Sequence, residues 1–292
     1  MVDSLENNET IAKYEVASFA KYDRRSLSYA STFGDPWKAT FIRIMEAFTG
    51  KLTILRLIRK FENQNPPKGQ AFWRACLDVM GIQLTTPQSQ LDRIPKTGPL
   101  IIVANHPHGM VDGMIFADLI GRVRPDYRIL TRSLLTAIDE VAGSYMIPVP
   151  FPHEKDAQRK GVEMRSKAMS YLKAGGVVAL FPSGVVATSS TWWGEAIEGD
   201  WNVFTAQLIR RSGAMVLPMK FPGQNSRAYQ IANKLSPMLR QGLLLHEIVH
   251  SLNKPQGPIV GHILDHNFVD RFEDDPRGFM EWLRTHTLQL TD

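Results

Sequence analysis

LIIVANHPHGMVDG, residues 100–113, is an apolar run that stops at Asn-His-Pro and resumes after an Asp. From Pro99 to Ala104 the run is short, β-branched and bounded by Pro and Asn, the pattern of a buried strand that hands its last residues to a loop. His106 then sits at a strand tip. Pro107 and Gly109 break regular structure, and Asp112 opens an apolar segment, Gly113 to Ile120, with the composition of a helix capped by a carboxylate. Strand, turn and helix so bring an imidazole and a carboxylate together. A neutral imidazole titrates near physiological pH, and a carboxylate on its other nitrogen fixes the tautomer and stabilises the imidazolium formed on taking a proton. His106 and Asp112 are therefore the candidate base and its orienting acid. H-x5-D by itself is a weak motif, and a loop histidine beside a helix-capping aspartate is the plain structural alternative.

The rest of the chain bounds what such a pair can serve. Its 292 residues are 43% hydrophobic, enough for a real core in one large domain or two small ones. The single cysteine, Cys76, excludes an internal disulfide, and no signal-peptide pattern opens the sequence, so a reducing cytosolic setting is expected. No apolar run reaches the roughly 20 residues of a membrane-spanning helix. A net charge of +5 favours an anionic partner, either nucleic acid or lipid head groups.

The distribution of that charge separates the two. Residues 37–61, WKATFIRIMEAFTGKLTILRLIRKF, carry Lys38, Arg43, Lys51, Arg56, Arg59 and Lys60 against Glu46 alone. Trp37, Phe41, Phe48 and further bulky apolar residues are interleaved at helical spacing, with Gly50 as a hinge between two helices. A basic amphipathic stretch of this kind fits an interfacial segment on an anionic membrane surface, with Trp37, Phe41, Phe48, Arg56, Arg59 and Lys60 as its contacts. A helix pair packed in the core with a solvated basic face is the competing explanation. No zinc-finger spacing, recognition helix or arginine–aromatic array supports nucleic acid.

Residues 1–36 read as polar and partly extended, and a helical region follows to about Leu84, interrupted by NQNPPKGQ at 63–70. From Pro95 strands alternate with helices: LIIVAN, YRIL at 127–130, GSYMIPVP at 143–150, GVVALFP at 176–182 and AMVLPMKF at 214–221, with helical patterns at 113–121, 157–174 and 200–212 between them. The alternation predicts an α/β fold, a mixed and largely parallel sheet flanked by helices, with working residues on loops beyond the strand ends. Residues 1–94 form an N-terminal amphipathic helical region and 95–292 the α/β core. FPSG at 181–184 and FPGQNSR at 221–227 close two of the strands, and each is a tight turn or a place where backbone N–H groups approach a ligand.

HEIVH at 246–250 matches H-E-x-x-H, in which two histidines one turn apart bind zinc. A catalytic zinc needs a third protein ligand. His262, His266 and Glu273 are available but fit no recognisable spacing, so a zinc hydrolase is the runner-up. His106 and His108 as an H-x-H metal pair lack the following aspartate and histidine of a dinuclear hydrolase and are discounted. No metal is expected.

Taken together, NHPHGMVDG, FPSGVVAT and VLPMKFPGQNS, in that order and on strand ends, resemble the glycerolipid acyltransferase superfamily of the lysophosphatidate acyltransferase type. More narrowly the chain is similar to the bacterial haemolysin-like lysophospholipid acyltransferases. LSYASTF at 27–33, YRILTRSLL at 127–135, DWNVFTAQLIRRSGA at 200–214 and LRQGLLLHE at 239–247 extend the resemblance over nearly the whole chain. It implies that His106 deprotonates an acceptor hydroxyl while Asp112 orients and charges it. The hydroxyl then attacks an acyl thioester, acyl carrier protein or coenzyme A serving as co-substrate with no bound cofactor. Asn105, Phe181, Pro182, Ser183 and Gly184 are the expected substrate contacts, and the turn around FPSG or the loop after Asn105 is expected to supply oxyanion donors. Pro218, Lys220 and Arg132 complete the set, the last two as positive charge for the acceptor.

Three departures refine the expectation. The superfamily's usual H-x4-D is H-x5-D here, as in the haemolysin-like branch. In the commoner FPEGTR block Glu and Arg are credited with holding acceptor phosphate, and this chain has Ser183 and Val186 in their places. Where relatives carry Arg before the Glu of the LLxRE block, this chain has His246. The missing arginine points to a lysolipid without a phosphate monoester: a lyso-aminolipid of the ornithine-lipid type, or a lysophospholipid. Lysophosphatidate is the alternative, and a non-catalytic lipid-binding protein the alternative of another class. Either enzyme would work peripherally on the cytoplasmic face of the inner membrane.

Overall fold

A sheet that must bury both faces needs strands that are apolar at every position, and this chain's central strand is LIIVA, buried throughout. The computed structural model describes residues 27–32, 34–132, 143–150 and 156–291. The segment 1–26, expected to be polar and partly extended, lies outside the described residues.

Helix α1 (Pro36–Glu46) runs through a π-helical turn at Ala47–Lys51 into α2 (Leu52–Asn63), followed by α3 (Ala71–Val79) and the short α4 (Gln88–Leu91). Then come β1 (Leu100–Ala104), α5 (Met110–Gly121), β2 (Tyr127–Arg132), β3 (Met146–Val149), α6 (Ala157–Lys173) and β4 (Val177–Leu180). A small hairpin, β5 (Thr188–Ser189) and β6 (Ala196–Ile197), precedes α7 (Val203–Ser212) and β7 (Met215–Lys220). The chain closes with α8 (Arg227–Leu235), α9 (Pro237–Gly242), α10 (Leu244–His250), β8 (Ile259–Val260), α11 (His266–Val269) and α12 (Pro276–Leu288).

The main sheet has the order β3-β2-β4-β1-β7-β8. Every neighbouring pair is parallel except β7 with β8 at the edge. Successive side chains point to opposite faces, so β1 divides its apolar residues between two cores. Leu100, Ile102 and Ala104 pack with α5 and with Phe72, Trp73 and Leu77 of α3. Ile101 and Val103 pack with Leu172 of α6, Leu208 of α7 and Leu283 of α12. The result is the mixed, largely parallel sheet between helical layers that the alternation predicts. Helices that precede residue 95 share the first of these cores with the sheet.

Two local expectations are corrected. Gly50 is no hinge: the helix continues through it as a π turn, and a Cβ there would stand 2.7 Å from the Leu245 carbonyl oxygen, so glycine serves a close approach to α10. Nor is Asp112 the cap of α5. The cap is Gly109, at φ 72°, and Asp112 lies within the first turn.

The opposite end of the sheet is tied by one buried side chain. Arg124, 2% exposed, gives Nε and Nη2 to the two Asp126 oxygens at 2.7 Å each. Its remaining N–H groups reach the carbonyls of Pro95, Gly98 and Gly175. The paired guanidinium holds the Asp126 carboxyl below its ordinary range. Arg124→Met keeps the volume but takes the donor from three carbonyls and the partner charge from Asp126. The loss is expected to be about 3 kcal/mol, read as a fall in Tm of roughly 6–12 °C in thermal unfolding.

Candidate active site

Parallel strands end on the same edge of a sheet, where the chain must leave in loops, and side chains placed there converge. Strands β4, β1 and β7 are neighbours, so the loops after Ala104, Leu180 and Lys220 meet. Asn105 fastens two of them. Its Oδ1 accepts from the Phe221 N–H at 2.7 Å and its Nδ2 donates to the Phe221 carbonyl at 2.8 Å, continuing the β1–β7 ladder by a side chain.

His106 follows. Its Nδ1 lies 3.0 Å from Oδ2 of Asp112, whose side chain has no exposure at all. The same Oδ2 accepts the backbone N–H of His108 at 2.8 Å, and Oδ1 lies 3.0 Å from Nδ1 of His108. One carboxylate is thus held between two imidazoles. Burial pushes the Asp112 carboxyl upward, but hydrogen bonds from His106 and His108 outweigh it and hold the group below its ordinary range. For His108 burial works downward, and the bond and charge of Asp112, with the charge of Glu247, carry the imidazole above its ordinary value.

The His106 backbone is fixed from two more directions: its N–H donates to Glu198 Oε2 at 3.0 Å and its carbonyl accepts from Ala187 at 2.9 Å. Its ring stacks on Phe181, centroids 4.0 Å apart and planes inclined by 19°. With Nδ1 on Asp112, Nε2 is the nitrogen left for a ligand.

His106 lines a cavity of about 1120 Å³. Apolar walls come from Ile54, Ile58 and Phe61 of α2 and from Phe72, Trp73 and Cys76 of α3. Gly109, Ser183 and Arg59 are among its polar or backbone lining. Such an imidazole can take a proton from a hydroxyl at the head of a space suited to an alkyl chain.

The model of the family described as acyltransferase matches residues 40–243, more than half of the chain. The chain belongs to the acyltransferase family. No curated protein sequence matches this acyltransferase. Among solved structures it is similar to the 1-acyl-sn-glycerophosphate (LPA) acyltransferase PlsC from Thermotoga maritima, at 14% identity, TM-score 0.49, covering 89% of this chain and 83% of that one.

The structure brings together His106, Asp112, Phe181, Pro182, Ser183 and Gly184 of the residues singled out from sequence. Others are placed elsewhere. Asn105 spends both ends of its amide on Phe221 and does not line the cavity. Lys220 donates from Nζ to the Leu290 carbonyl at 2.8 Å, so its charge serves the C-terminal segment. Pro218 packs against Gly261, where a Cβ would stand 2.9 Å from its Cγ, and does not line the cavity. Arg132 ends β2, pairing with Val149, and its side chain lies outside the described residues.

HEIVH has other work in this acyltransferase. Glu247 accepts the Ser226 N–H at 2.7 Å and its hydroxyl at 2.6 Å, while His246 meets the Thr49 carbonyl and His250 meets Lys254. Two residues that hold this cluster are not among those expected from sequence, where His108 figures only in a discounted metal pair. His108 could have been found from its i,i+4 spacing to Asp112, whereas Glu198, which also accepts from Trp201 Nε1, carries no local signal.

The depressed carboxyl of Asp112 has a stability consequence of definite sign. Its contribution is fully present above the unfolded carboxyl value of about 3.9 and is lost as pH falls through the lower folded value. Asp112→Asn should therefore cost more stability at pH 7 than at pH 3, in urea unfolding followed at both. An equal cost at the two pH values would mean the carboxylate is not held as described.

Proposed function

We propose that this acyltransferase moves a fatty acyl group from an acyl thioester to the hydroxyl of a lysolipid. The observation that carries the proposal is an imidazole locked through Nδ1 on a buried carboxylate at the head of a large apolar cavity. His106 Nε2 takes the acceptor's hydroxyl proton as the oxygen attacks the thioester carbonyl. The tetrahedral oxyanion then collapses, the C–S bond breaks, and the imidazolium returns its proton to the leaving thiolate. No acyl-enzyme is formed.

The oxyanion needs an N–H donor. In the loop after Asn105 the amides of His106 and His108 are spent on carboxylates and Pro107 has none. The Gly184 amide is spent on Phe181. Gly109, Met110 and Ser183, which line the cavity and have no N–H partner among the described residues, are the candidate donors we assign.

For the acceptor, Ser183 turns its hydroxyl onto the Val185 carbonyl at 2.9 Å and Val186 offers no charge. A head group without a phosphate monoester fits this side of the cavity better than one with it. That favours a lyso-aminolipid of the ornithine-lipid type or a lysophospholipid over lysophosphatidate, in keeping with the haemolysin-like branch. Acyl carrier protein and coenzyme A remain the two donor classes.

Access to lipid fits the N-terminal helices. Ala39, Ile42 and Ile54 face inward, while Trp37, Phe41, Ile44, Phe48 and Leu52 are exposed, Trp37 by 85% and Phe48 by 88%. Positions 37, 41, 44, 48 and 52 follow a helical period, so they form one apolar stripe, with Arg56, Arg59 and Lys60 exposed beyond it. Among the described residues no helix is long and apolar enough to cross a membrane. A stripe of this kind lies in an anionic interface, here the cytoplasmic face of the inner membrane.

Purified enzyme with a panel of lysolipids and acyl-CoA or acyl-carrier-protein thioesters, products read by mass spectrometry, tests the reaction. His106→Ala should lose about 10²–10⁴-fold in rate with unchanged thermal unfolding. Wild-type protein that binds lipid vesicles yet turns over no pair would be a lipid-binding protein instead. Separately, Trp37→Ser with Phe48→Ser should weaken sedimentation with anionic vesicles at least several-fold, while turnover of micellar substrate is retained.

A further inference from the structure

We propose that His108, by gripping the second oxygen of Asp112, sets the basicity of His106, so that two imidazoles and one carboxylate act as a single proton-holding unit. The proposal rests on His106 being the base and deepens that assignment. Its ground is geometric: Asp112 meets His106 through Oδ2 and His108 through Oδ1, each at 3.0 Å.

A carboxylate with no exposure is costly unless its charge is met, and two rings compete to meet it. When His108 is neutral the full charge of Asp112 acts on His106 and makes it a stronger base. When His108 is cationic much of that charge is already neutralised, a second cation beside it is disfavoured, and His106 is a weaker base that stays deprotonated to lower pH. Charges of both signs surround His108. Asp112 of α5 and Glu247 of α10 are the anions that raise His108, against Lys254 and the ring's own burial. His250, engaged by Lys254 at 3.0 Å, also faces this group. On the remaining side Gly223, at φ 94°, closes on His108 Nε2, which a Cβ there would approach to 3.0 Å. Glycine there leaves room for the ring on Asp112, outside the cavity, which His106 lines and His108 does not. His108 is therefore a positioning residue that acts through Asp112.

The test is the acid limb of the pH–rate profile together with a direct titration. His108→Asn keeps a side-chain N–H donor and removes the cation. The acid limb of kcat/KM should then move up by about one pH unit, and the imidazole 15N resonance of His106, followed without substrate, should move with it. An unchanged limb and resonance in a folded variant would make His108 a structural residue only. Should the variant not fold, the wild-type resonances decide: coupled rings give two-step titrations at both His106 and His108, and independent single steps overturn the proposal. Because that titration needs no turnover, it distinguishes failure of the coupling from failure of the acyl-transfer assignment.

Discussion

A carboxylate buried without exposure must have every strong bond it can get, and the head of the cavity is arranged around that demand. Asp112 meets it with three donors, all from the loop that leads into its own helix. Helical side chains lean toward the N-terminus, so an acid in the first turn of α5 reaches back over the loop before it. Pro107 and Gly109 fold that loop so that both histidines lie within reach. The five residues between His106 and Asp112 thus match a strand tip, a turn broken by proline and glycine, and a helix that starts at Met110.

What keeps this cluster at the cavity comes from the sheet. β1 is flanked by β4 and β7, and each neighbour contributes one hold on the loop: Phe181 stacks on the His106 ring, and Phe221 closes a two-way bond with Asn105. Phe116 of α5 stacks in turn on Phe181 at 4.9 Å, so the imidazole is the exposed end of an aromatic pile rooted in the core. Glu198 adds a third hold and is itself positioned by Trp201 and by Arg284 of α12, which donates to the backbone carbonyls of residues 198 and 199. An imidazole whose ring and backbone are gripped this way has little orientational freedom left to lose on meeting a ligand.

Much of this was legible in the amino-acid order because burial on both faces leaves a strand few choices. LIIVA, VVAL and MVLPMK stand out as runs between turn residues, and the convergence of their loops follows from parallel pairing. Partners far apart in sequence were not legible. Nothing near Lys220 announces that Leu290 will take its ammonium, nor that Glu198 will receive an amide 92 residues away. Periodicity likewise reveals that residues 37–61 carry apolar stripes without revealing what each faces. The helix has two, one built into the core through Ile42 and Ile54 and one open through Trp37 and Phe48. Gly50 was misread because glycine in a helix serves a bend or a close neighbour equally well, and only the position of α10 decides.

Short motifs acquire meaning from what their side chains touch, and two buried acids of this chain make the point in opposite ways. Asp112 and Glu247 both sit within one turn of histidines, and both are almost wholly buried. Glu247 gives its two oxygens to Ser226, the residue that caps α8, and so anchors the loop that carries Gly223 behind His108. Its histidines face a carbonyl and a lysine. Asp112 gives its oxygens to the imidazoles themselves, and one of them opens on the cavity. The acid in HEIVH therefore stands as a charge behind the second histidine, while the less distinctive H-x5-D is the one that places an imidazole at the cavity.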